Sequence, residues 1–496
     1  MKPLADREVP PFGDPLCFID GRQRTGEGEP FEVTFPVTGE TLCEVRSASL
    51  GQVEEAVAAA RRTFDGGGWR LRPAQERAAV LERTAQILEG RREALVETIL
   101  FDNGKTRPEA AVDVASAVAS CRRAAAFCCA QEVRRELPER GVEKRVVREP
   151  VGVVAGMTPY NAPLMFAGLK AMDPLASGNS VILKVSERSP LVAVELCRAA
   201  AEAGLPAGVL NLVHGGVEVA AALSSHDGVD MITITGGSAA GSAVMRAAAP
   251  TIKNLLLELG GKSAHIVLAD ADLDKAIPAV AAGIFRNAGQ RCFSGSRLVV
   301  DAAVAEQVEE GVTALASSLR VGDPFEEGTQ IGPMIDPRAV AAVEAFVQRA
   351  TADGLEVAAG GRRPAGMGGG SFFLPTVLTG ARADSHEARE EIFGPVLTSI
   401  RVAGVEEAIA VANASRYGLA GGVWTGDEAT ALQVAHGVRC GYFWINTYGA
   451  IFGDVPFGGF GLSGLGREAG IDGYNAYTEQ KTILIDREGG GSAPLF

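Results

Sequence analysis

Two side chains of this 496-residue chain have the types and surroundings that covalent chemistry needs, a thiol at Cys292 and a carboxylate 34 residues earlier at Glu258. The thiol could attack a carbonyl carbon, and the carboxylate could activate the water that releases the product. Gly, Gln and Ser neighbours leave room for a ligand beside Cys292 and leave backbone N–H groups free to donate. A lone cysteine is more often a small buried apolar residue, so the pair needs support from its surroundings.

A third polar group, the amide of Asn161, lies in the segment Thr158–Pro163, directly after the apolar run 151–156. The run predicts a buried strand, and parallel sheets place their sites beyond the carboxyl ends of such strands. An amide held there could donate to an oxyanion. An Asn between prolines also commonly bonds its own backbone in a turn, and the sequence leaves both roles open.

Two strand ends carry candidate cofactor contacts. The segment Thr235–Gly241 follows a predicted strand and opens a predicted helix. The N–H groups and the dipole of a helix start suit a pyrophosphate, although an ordinary turn capped by Ser238 fits equally well. Lys184 and Glu187 end another strand, where they could bond ribose hydroxyls or form a solvated pair.

Three further patterns differ in how well they suit a nucleotide. Glu391 and Phe393 combine an acid with an aromatic ring, which suits a ribose and a flat ring, or else a loop Phe that packs on the core. Gly459–Gly464 matches G-x-G-x-x-G, but no strand precedes it. Gly261–Ser263 resembles the end of a P-loop, but Leu256 stands where that motif has glycine, so neither pattern is interpreted as a nucleotide loop.

The elements that must position these groups alternate between strand and helix. Apolar runs at 151–156, 181–184, 209–213 and 231–235 recur about every 25 residues, with Ala-rich helical stretches between them. This rhythm predicts an α/β fold whose parallel sheet is covered on both faces. A second α/β section is predicted from about 259 to 455. Its helices are predicted near 272–288, 303–320, 337–352, 405–414 and 427–437.

The two ends of the chain predict additional strands and helices. Residues 31–47 alternate apolar and polar positions, which indicates short strands, and helices are predicted from Val53 and over about 74–130. Charged residues alternate with Val up to Val147, and the segment 477–486 alternates in the same way. Both of these segments are predicted to be exposed strands.

Composition excludes several classes of function. The net charge of −14 repels nucleic acid, so no nucleic-acid partner is expected. Eight scattered cysteines without a C-x-x-C motif predict a reducing, cytoplasmic location without disulfides. Five separated histidines predict no metal site. No signal peptide and no apolar run of membrane length are visible, so no membrane partner is expected.

Taken together, the motifs resemble those of the NAD(P)-dependent aldehyde dehydrogenase superfamily, and they follow that family's order over roughly residues 17–486. Each motif alone is modest, whereas the ordered set is specific. The matching segments are Thr158–Pro163, Lys184 with Glu187, Thr235–Gly241, Glu258–Ser263, Gly289–Cys292, Glu391–Val396, Trp444–Asn446 and Pro456–Gly464.

The resemblance implies an α/β fold of three parts. A Rossmann-like parallel-sheet domain that binds NAD would comprise residues 1–132 and 151–258, and an α/β catalytic domain would comprise residues 259–455. A small β oligomerisation element would comprise residues 133–150 and 474–496. Its exposed strands would pair between the subunits of a homodimer or homotetramer.

The resemblance also implies NAD-dependent oxidation of an aldehyde to the carboxylic acid. Cys292 would attack the aldehyde, and the Asn161 amide and the Cys292 N–H would hold the oxyanion. Glu258 would activate the hydrolytic water, and Lys170 would relay protons. The cofactor-binding residues that it implies are Thr158, Pro159, Lys184, Ser186, Glu187, Gly216, Thr235, Gly236, Gly237, Gly241, Leu259, Glu391 and Phe393.

Glu187 favours NAD over NADP, because a carboxylate on the ribose 2′-hydroxyl repels a 2′-phosphate. Four positions depart from the family's usual residues: Tyr160 replaces Trp, Val185 replaces Pro, Gly237 replaces Ser or Thr, and Gly461 replaces Lys. None of these changes removes a catalytic group, although Tyr160 and Val185 could alter pocket width and loop stiffness.

The implied substrate pocket is mostly apolar or aromatic, which suits a medium aliphatic or aromatic aldehyde. Arg291 is the exception, because it could bind a substrate carboxylate, as in a semialdehyde, or form a salt bridge. The structural role is the commoner one for an arginine. The implied pocket residues are Tyr160, Phe166, Leu169, Arg291, Phe293, Tyr448, Ile451 and Phe457.

Two other functions stay open at this point. A CoA-acylating semialdehyde dehydrogenase of the same fold generally lacks the water-activating glutamate, whereas Glu258 is present here. A catalytically idle binding protein of the same fold tends to lose the nucleophile or the base, whereas Cys292 and Glu258 are both present. The residues therefore favour oxidation followed by hydrolysis.

Overall fold

The computed structural model describes residues 6–7, 16–129, 134–139 and 142–487. Parts of the predicted domains, including most of the first 15 residues and the tail 488–496, lie outside the described residues. The strands in the described part are β1 (Cys17–Ile19), β2 (Arg22–Arg24), β3 (Pro30–Thr34), β4 (Thr41–Arg46), β5 (Arg134–Glu139), β6 (Val142–Pro150), β7 (Val153–Met157), β8 (Ser180–Lys184), β9 (Leu210–Val213), β10 (Met231–Thr235), β11 (Asn254–Glu258), β12 (Ala264–Val267), β13 (Arg297–Asp301), β14 (Glu356–Ala359), β15 (Thr376–Thr379), β16 (Val396–Val402), β17 (Tyr417–Gly418), β18 (Ala420–Trp424), β19 (Tyr442–Ile445), β20 (Phe460–Gly461), β21 (Gly464–Leu465) and β22 (Thr478–Asp486).

The helices confirm the helical segments that the sequence predicts. The predicted helical region 74–130 is divided into three helices, and Gly104, with φ of 75°, ends the second of them. None of the described helices combines the length and the apolar character needed to cross a bilayer. The helices are α1 (Leu50–Asp65), α2 (Ala74–Gly90), α3 (Arg92–Asn103), α4 (Arg107–Cys129), α5 (Pro163–Ser177), α6 (Ala193–Glu202), α7 (Val217–Ser225), α8 (Ser238–Ala248), α9 (Leu273–Phe285), α10 (Ala305–Ser318), α11 (Pro337–Ala352), α12 (His386–Arg389), α13 (Val405–Asn413), α14 (Glu428–Gly437) and α15 (Gly470–Asn475).

The larger sheet has the strand order β2-β1-β9-β8-β7-β10-β11-β21. Its five central strands, from β9 to β11, are parallel. Strands β7, β8, β9 and β10 are buried at every residue, as expected for a parallel sheet covered by helices on both faces. The predicted parallel α/β architecture is therefore confirmed, and Glu258 is the last residue of its strand β11.

A second sheet has the order β14-β15-β16-β13-β12-β18-β19 and is parallel except for its first pair. Cys292 lies in the loop that leads from α9 into β13, a central strand of this sheet. The chain between Glu258 and Cys292 therefore passes from the carboxyl end of β11 in one sheet to a central strand of the other.

Strands β22, β6 and β5 form a separate antiparallel sheet. The strand pair before Pro150 and the C-terminal strand thus share one sheet, and Leu484 on β22 is 64% exposed. An exposed apolar side chain on an edge strand suits pairing with another chain. The division into three domains and the role of this sheet in oligomerisation stay predictions.

Candidate active site

The segment Glu258–Gly261 brings the two sheets together at the candidate nucleophile. The backbone oxygen of Glu258 accepts a hydrogen bond from the Gly236 N–H at 3.1 Å. A Cβ on Gly261 would lie 2.6 Å from the Cys292 carbonyl oxygen, so only glycine allows this approach. The glycines of this motif therefore hold the Cys292 loop against the end of β11.

The Glu258 carboxylate is buried, and neither of its oxygens has a hydrogen-bond partner among the described residues. Burial raises its pKa well above the usual range, and the negative charge of Glu468 raises it further. Lys170 and the Cys292 thiol act in the opposite direction, although the thiol contact does not meet the geometry of a hydrogen bond. Such a carboxylate is a stronger base than an exposed one when it is ionised.

Burial also raises the pKa of the Cys292 thiol well above its usual range, and the nearby Glu258 charge adds to this effect. The Phe293 N–H acts in the opposite direction and favours the thiolate. The resting nucleophile is therefore a protonated thiol. Its proton must leave when the thiol reacts, because the thiolate is the attacking form.

The loop before Cys292 has an unusual backbone. The helix predicted over 272–288 ends earlier, at Phe285, because Asn287 and Ala288 have φ of 54° and 50°. Left-handed backbone costs about 1–2 kcal/mol at each non-glycine residue. The Asn287 N–H donates to Glu109 Oε1 at 2.6 Å, and its side-chain amide donates to the Asn161 backbone oxygen at 3.1 Å. These bonds hold the strained turn that presents the nucleophile.

The Asn161 amide lies against the same loop. Its Nδ2 donates to the Gln290 backbone oxygen at 2.9 Å, two residues before Cys292. The alternative in which Asn161 bonds its own backbone is therefore wrong for this amide donor. An amide nitrogen has two N–H donors, so a second one stays available beside the nucleophile.

Lys170 on α5 belongs to a buried ion pair beneath the site. Its Nζ bonds Glu468, and it also donates to Thr233 Oγ1 at 3.0 Å. Sequence reasoning found Lys170 through the family resemblance but missed Glu468, which lies 298 residues later in the chain. The only sequence signal was its position shortly after the Pro456–Gly464 motif.

The two predicted ribose contacts, Lys184 and Glu187, form a salt bridge of 3.1 Å. Partial burial raises the pKa of Glu187, but Lys184, the Glu187 backbone N–H and the charge of Arg188 together lower it below its usual value. The next residue, Arg188, is directed elsewhere, because it bonds Asp336 at 2.7 Å and lies 4.2 Å from the centre of the Tyr160 ring. Glu187 is therefore anionic and bonded to Lys184, whereas the Arg188 side chain bonds Asp336.

Two helices of the predicted cofactor region begin without a side-chain cap. Gly216 and Gly237 hold the N-cap positions of α7 and α8, and a Cβ on either would meet nothing within 4 Å. The Ser238 hydroxyl donates to the Leu462 backbone oxygen at 2.9 Å, so the alternative of a turn capped by Ser238 is wrong. Gly241 packs on Leu259, where a Cβ would lie 2.6 Å from a methyl carbon.

The remaining predicted cofactor residues lie at the carboxyl ends of strands β7, β8 and β10. The Thr158 N–H donates to the Lys184 backbone oxygen at 3.1 Å, with Pro159 next in the chain. The Ser186 hydroxyl accepts from the Arg188 N–H at 3.3 Å. The Thr235 hydroxyl is buried without a hydrogen-bond partner in the described part of the chain.

Glu391 and Phe393 reach the site from the second sheet. Glu391 Oε1 accepts from the Gly261 N–H at 3.1 Å, and burial raises the pKa of this carboxyl to about 7. Phe393 has φ of 53°, and its ring meets the Tyr160 ring edge to face at 5.9 Å. The structure thus brings the 391–396 motif onto the glycines that follow Glu258.

An aromatic cluster packs around the nucleophile. Cys292, Phe293, Tyr448 and Phe457 belong to one apolar cluster, together with Trp444. The Phe293 ring lies 6.0 Å from Trp444 and 6.1 Å from Phe457, and the Tyr448 hydroxyl donates to the Phe293 backbone oxygen at 2.9 Å. These three predicted pocket residues therefore meet at Cys292.

A buried histidine that sequence reasoning missed supports this cluster. His265 stacks on Tyr448 at 4.2 Å, and its Nε2 accepts from the Trp424 indole N–H at 2.8 Å. Burial lowers the pKa of His265 to about 3, so the ring is neutral at physiological pH. No spacing pattern links these residues, and only the pairing of β12 with β18 brings His265 near Trp424.

The other predicted pocket residues lie outside the cluster around Cys292. Phe166 is buried and Leu169 is half-buried on α5, and Ile451 is 42% exposed. None of the three belongs to the apolar cluster that includes Cys292. Arg291 lies at its edge, with its guanidinium 5.0 Å from the centre of the Phe293 ring.

The fold and the site together define a class of protein: two parallel sheets that bring a thiol, an amide donor and an unpaired carboxylate to one buried point. A model of the aldehyde dehydrogenase family matches residues 23–483. The chain belongs to the aldehyde dehydrogenase family.

Individual relatives agree with this assignment. The betaine aldehyde dehydrogenase of Bacillus subtilis is 36% identical over 473 residues, which are 94% of this chain and 96% of the relative. The crystal structure of betaine aldehyde dehydrogenase from Staphylococcus aureus in complex with NAD+ matches with a TM-score of 0.94 at 33% identity, over 96% of this chain and 95% of that one. The aldehyde dehydrogenase KauB of Pseudomonas aeruginosa matches with a TM-score of 0.93 at 36% identity, over 95% and 96% of the two chains.

Proposed function

We propose that this protein oxidises an aldehyde to the carboxylic acid with NAD+, through a thioester on Cys292. The observation that carries the proposal is the meeting of Cys292, the Asn161 amide and the unpaired Glu258 carboxylate in one buried site. Each group has a separate task in this chemistry.

The chain's own residues perform the covalent steps. Cys292 attacks the aldehyde carbon as the thiolate, and the free Asn161 N–H and the Cys292 backbone N–H stabilise the oxyanion that forms. NAD+, when bound, would supply the acceptor for the hydride that leaves this carbon. Glu258 then takes a proton from a water molecule as that water attacks the thioester, which releases the acid and frees Cys292. Lys170 and Glu468 bond each other near Glu258, and they would support proton movement away from it.

The cofactor fits the residues at the carboxyl edge of the larger sheet. The uncapped starts of α7 and α8 offer N–H donors to a pyrophosphate, and Gly216 and Gly237 leave that surface open. The Lys184–Glu187 pair would hold the adenosine ribose, and Glu391 the nicotinamide ribose. The anionic Glu187 supports NAD over NADP, and the crystallised relative from Staphylococcus aureus carries NAD+.

The aromatic cluster around Cys292 supports a substrate with an aliphatic or aromatic hydrocarbon part. Several relatives are named for betaine aldehyde. The CoA-acylating alternative is less well supported, because the buried Glu258 next to Cys292 is placed to activate water. An idle binding protein is disfavoured by the same two residues.

We also propose where the enzyme works and how its subunits assemble. All eight cysteines are free, which suits the cytoplasm and keeps Cys292 available. The edge strand β22, with its exposed Leu484, would pair with another subunit in a homodimer or homotetramer.

A panel of aldehydes monitored by NADH absorbance tests the proposal. We expect NADH with at least one aldehyde, and we expect Cys292→Ser to abolish it. Cys129→Ser, which changes an exposed cysteine on α4, should keep the activity. Absence of NADH with every aldehyde despite bound NAD+ would support an idle protein, and full activity of Cys292→Ser would contradict the mechanism.

A further inference from the structure

We propose that Arg291 binds a carboxylate at the far end of the substrate, so that the preferred substrates are short aldehydes with an acid group, the ω-oxo acids. This inference rests on the proposed aldehyde oxidation and names its substrate class. The aromatic cluster would contact the hydrocarbon part of such a substrate, and Arg291 would bind its charge.

The hydrogen bonds of Arg291 leave part of its guanidinium unused. Nη2 donates to the backbone oxygens of Ala282 and Gly283, at 3.0 and 2.7 Å, near the end of α9. Nε is buried without a partner, and no described residue accepts a hydrogen bond from Nη1. No carboxylate of the described residues forms a salt bridge with Arg291, so the salt bridge that the sequence suggested is not found there.

Arg297, six residues later, shows what a purely structural buried arginine looks like in this protein. Its Nε, Nη1 and Nη2 all donate to backbone oxygens, those of Lys262, Val411 and Ala412, at 2.7 to 2.9 Å. Arg297 is buried and Arg291 is half-buried, and desolvation lowers the pKa of each to about 10. Both are therefore cations at neutral pH, but only Arg291 keeps unpaired donors.

The unused donors of Arg291 lie at the edge of the cluster around Cys292. The guanidinium is 5.0 Å from the Phe293 ring centre. Gly449 leaves the space beside Nη1 open, since a Cβ there would lie 3.7 Å from Nη1 and 3.9 Å from the Phe293 ring. The polar group of Tyr448 is already bonded to the Phe293 backbone.

The nearby acid Glu109 is engaged by other groups. Its Oε1 accepts from the Asn287 N–H, and its Oε2 accepts from the Thr106 backbone and hydroxyl. A substrate carboxylate could therefore supply the partner that Arg291 lacks, and guanidinium forks bind carboxylates in a well-defined geometry. Such a charged contact is worth about 10- to 100-fold in specificity. A cationic aldehyde, such as betaine aldehyde, would be repelled.

The test compares kcat/KM for ω-oxo acids of four, five and six carbons with the alkanals of the same lengths and with betaine aldehyde. We expect at least one ω-oxo acid to exceed its alkanal by about tenfold or more, and betaine aldehyde to be the poorest substrate. Arg291→Gln should reduce the ratio of acid to alkanal by a similar factor. Arg291→Lys keeps the positive charge and should keep part of the ratio.

Arg286→Gln is the matched control, because it removes a charge from an exposed arginine five residues away. We expect its ratio to equal that of the unmodified enzyme. Two results would overturn this inference: a ratio of acid to alkanal near one in the unmodified enzyme, or a ratio that Arg291→Gln leaves unchanged. In either case, oxidation of the alkanals would still support the proposed function. Absence of NADH with all of these aldehydes would instead contradict the proposed function itself.

Discussion

Two buried carboxylates, Glu258 and Glu468, lie within electrostatic reach of each other, and the protein treats them in opposite ways. Glu468 is paired with Lys170, which also bonds Thr233. Glu258 has no hydrogen-bond partner among the described residues, and its pKa is raised. Each member of a buried ion pair is needed to compensate the other, whereas an unpaired carboxylate is free to take part in chemistry.

The largest expected effect follows from removing the unpaired carboxylate. Glu258→Gln keeps the shape of the side chain but removes the base, so kcat should fall by up to about 10⁴-fold. The folded state should be about as stable as before, because no ion pair is lost. Steady-state NADH assays measure kcat, and thermal unfolding measures the stability of the folded state. A strong loss of stability in Glu258→Gln would contradict the difference that we draw between Glu258 and Glu468.

The paired carboxylate should show the opposite pattern. Glu468→Gln leaves the buried Lys170 ammonium uncompensated, which should lower the free energy of unfolding by about 3–5 kcal/mol. The double variant Glu468→Gln with Lys170→Met removes both charges and should recover part of that loss. Denaturant unfolding measures these values. Equal stability of Glu468→Gln and the unmodified protein would show that Lys170 does not need the charge of Glu468.

The pH dependence of kcat should report the raised pKa of Glu258. Only its ionised form accepts a proton from water, so kcat should fall as the pH is lowered through that pKa. On this acid limb of the profile, kcat should fall by up to about tenfold per pH unit. The limb should be centred at a pH above the usual pKa range of a glutamate. Glu258→Gln should lose this limb. A limb that persists unchanged in Glu258→Gln would assign the titration to another group.

The smallest expected effect concerns the half-exposed Glu187. Glu187→Gln removes the charge that repels a 2′-phosphate, so the preference for NAD over NADP in kcat/KM should fall by about tenfold. Glu306→Gln, at an exposed position on α10, is the control for the loss of one negative charge. Comparable kcat/KM for the two cofactors in the unmodified enzyme would contradict the assigned role of Glu187.

Sequence reasoning predicted the parallel sheets and Glu258, Cys292 and Asn161, because strand rhythm and motif order depend on local residue types. It missed Glu468 and His265, since their roles depend on contacts between distant segments. It also placed the end of α9 too late, because helical spacing continues to residue 288 while the backbone turns left-handed at Asn287. The missing hydrogen-bond partners of the Glu258 carboxylate and of Arg291 Nε likewise could be found only from the coordinates of their neighbours.

Rapid mixing of the Glu258→Gln variant with an aldehyde and NAD+ tests the central claim most directly. Hydride transfer precedes the step that needs Glu258, so we predict a burst of NADH of about one per site, followed by slow turnover. The mass of the peptide that contains Cys292 should increase by the acyl group. Absence of both the burst and the acylated peptide would contradict the division of labour between Cys292 and Glu258, as would turnover at the unmodified rate.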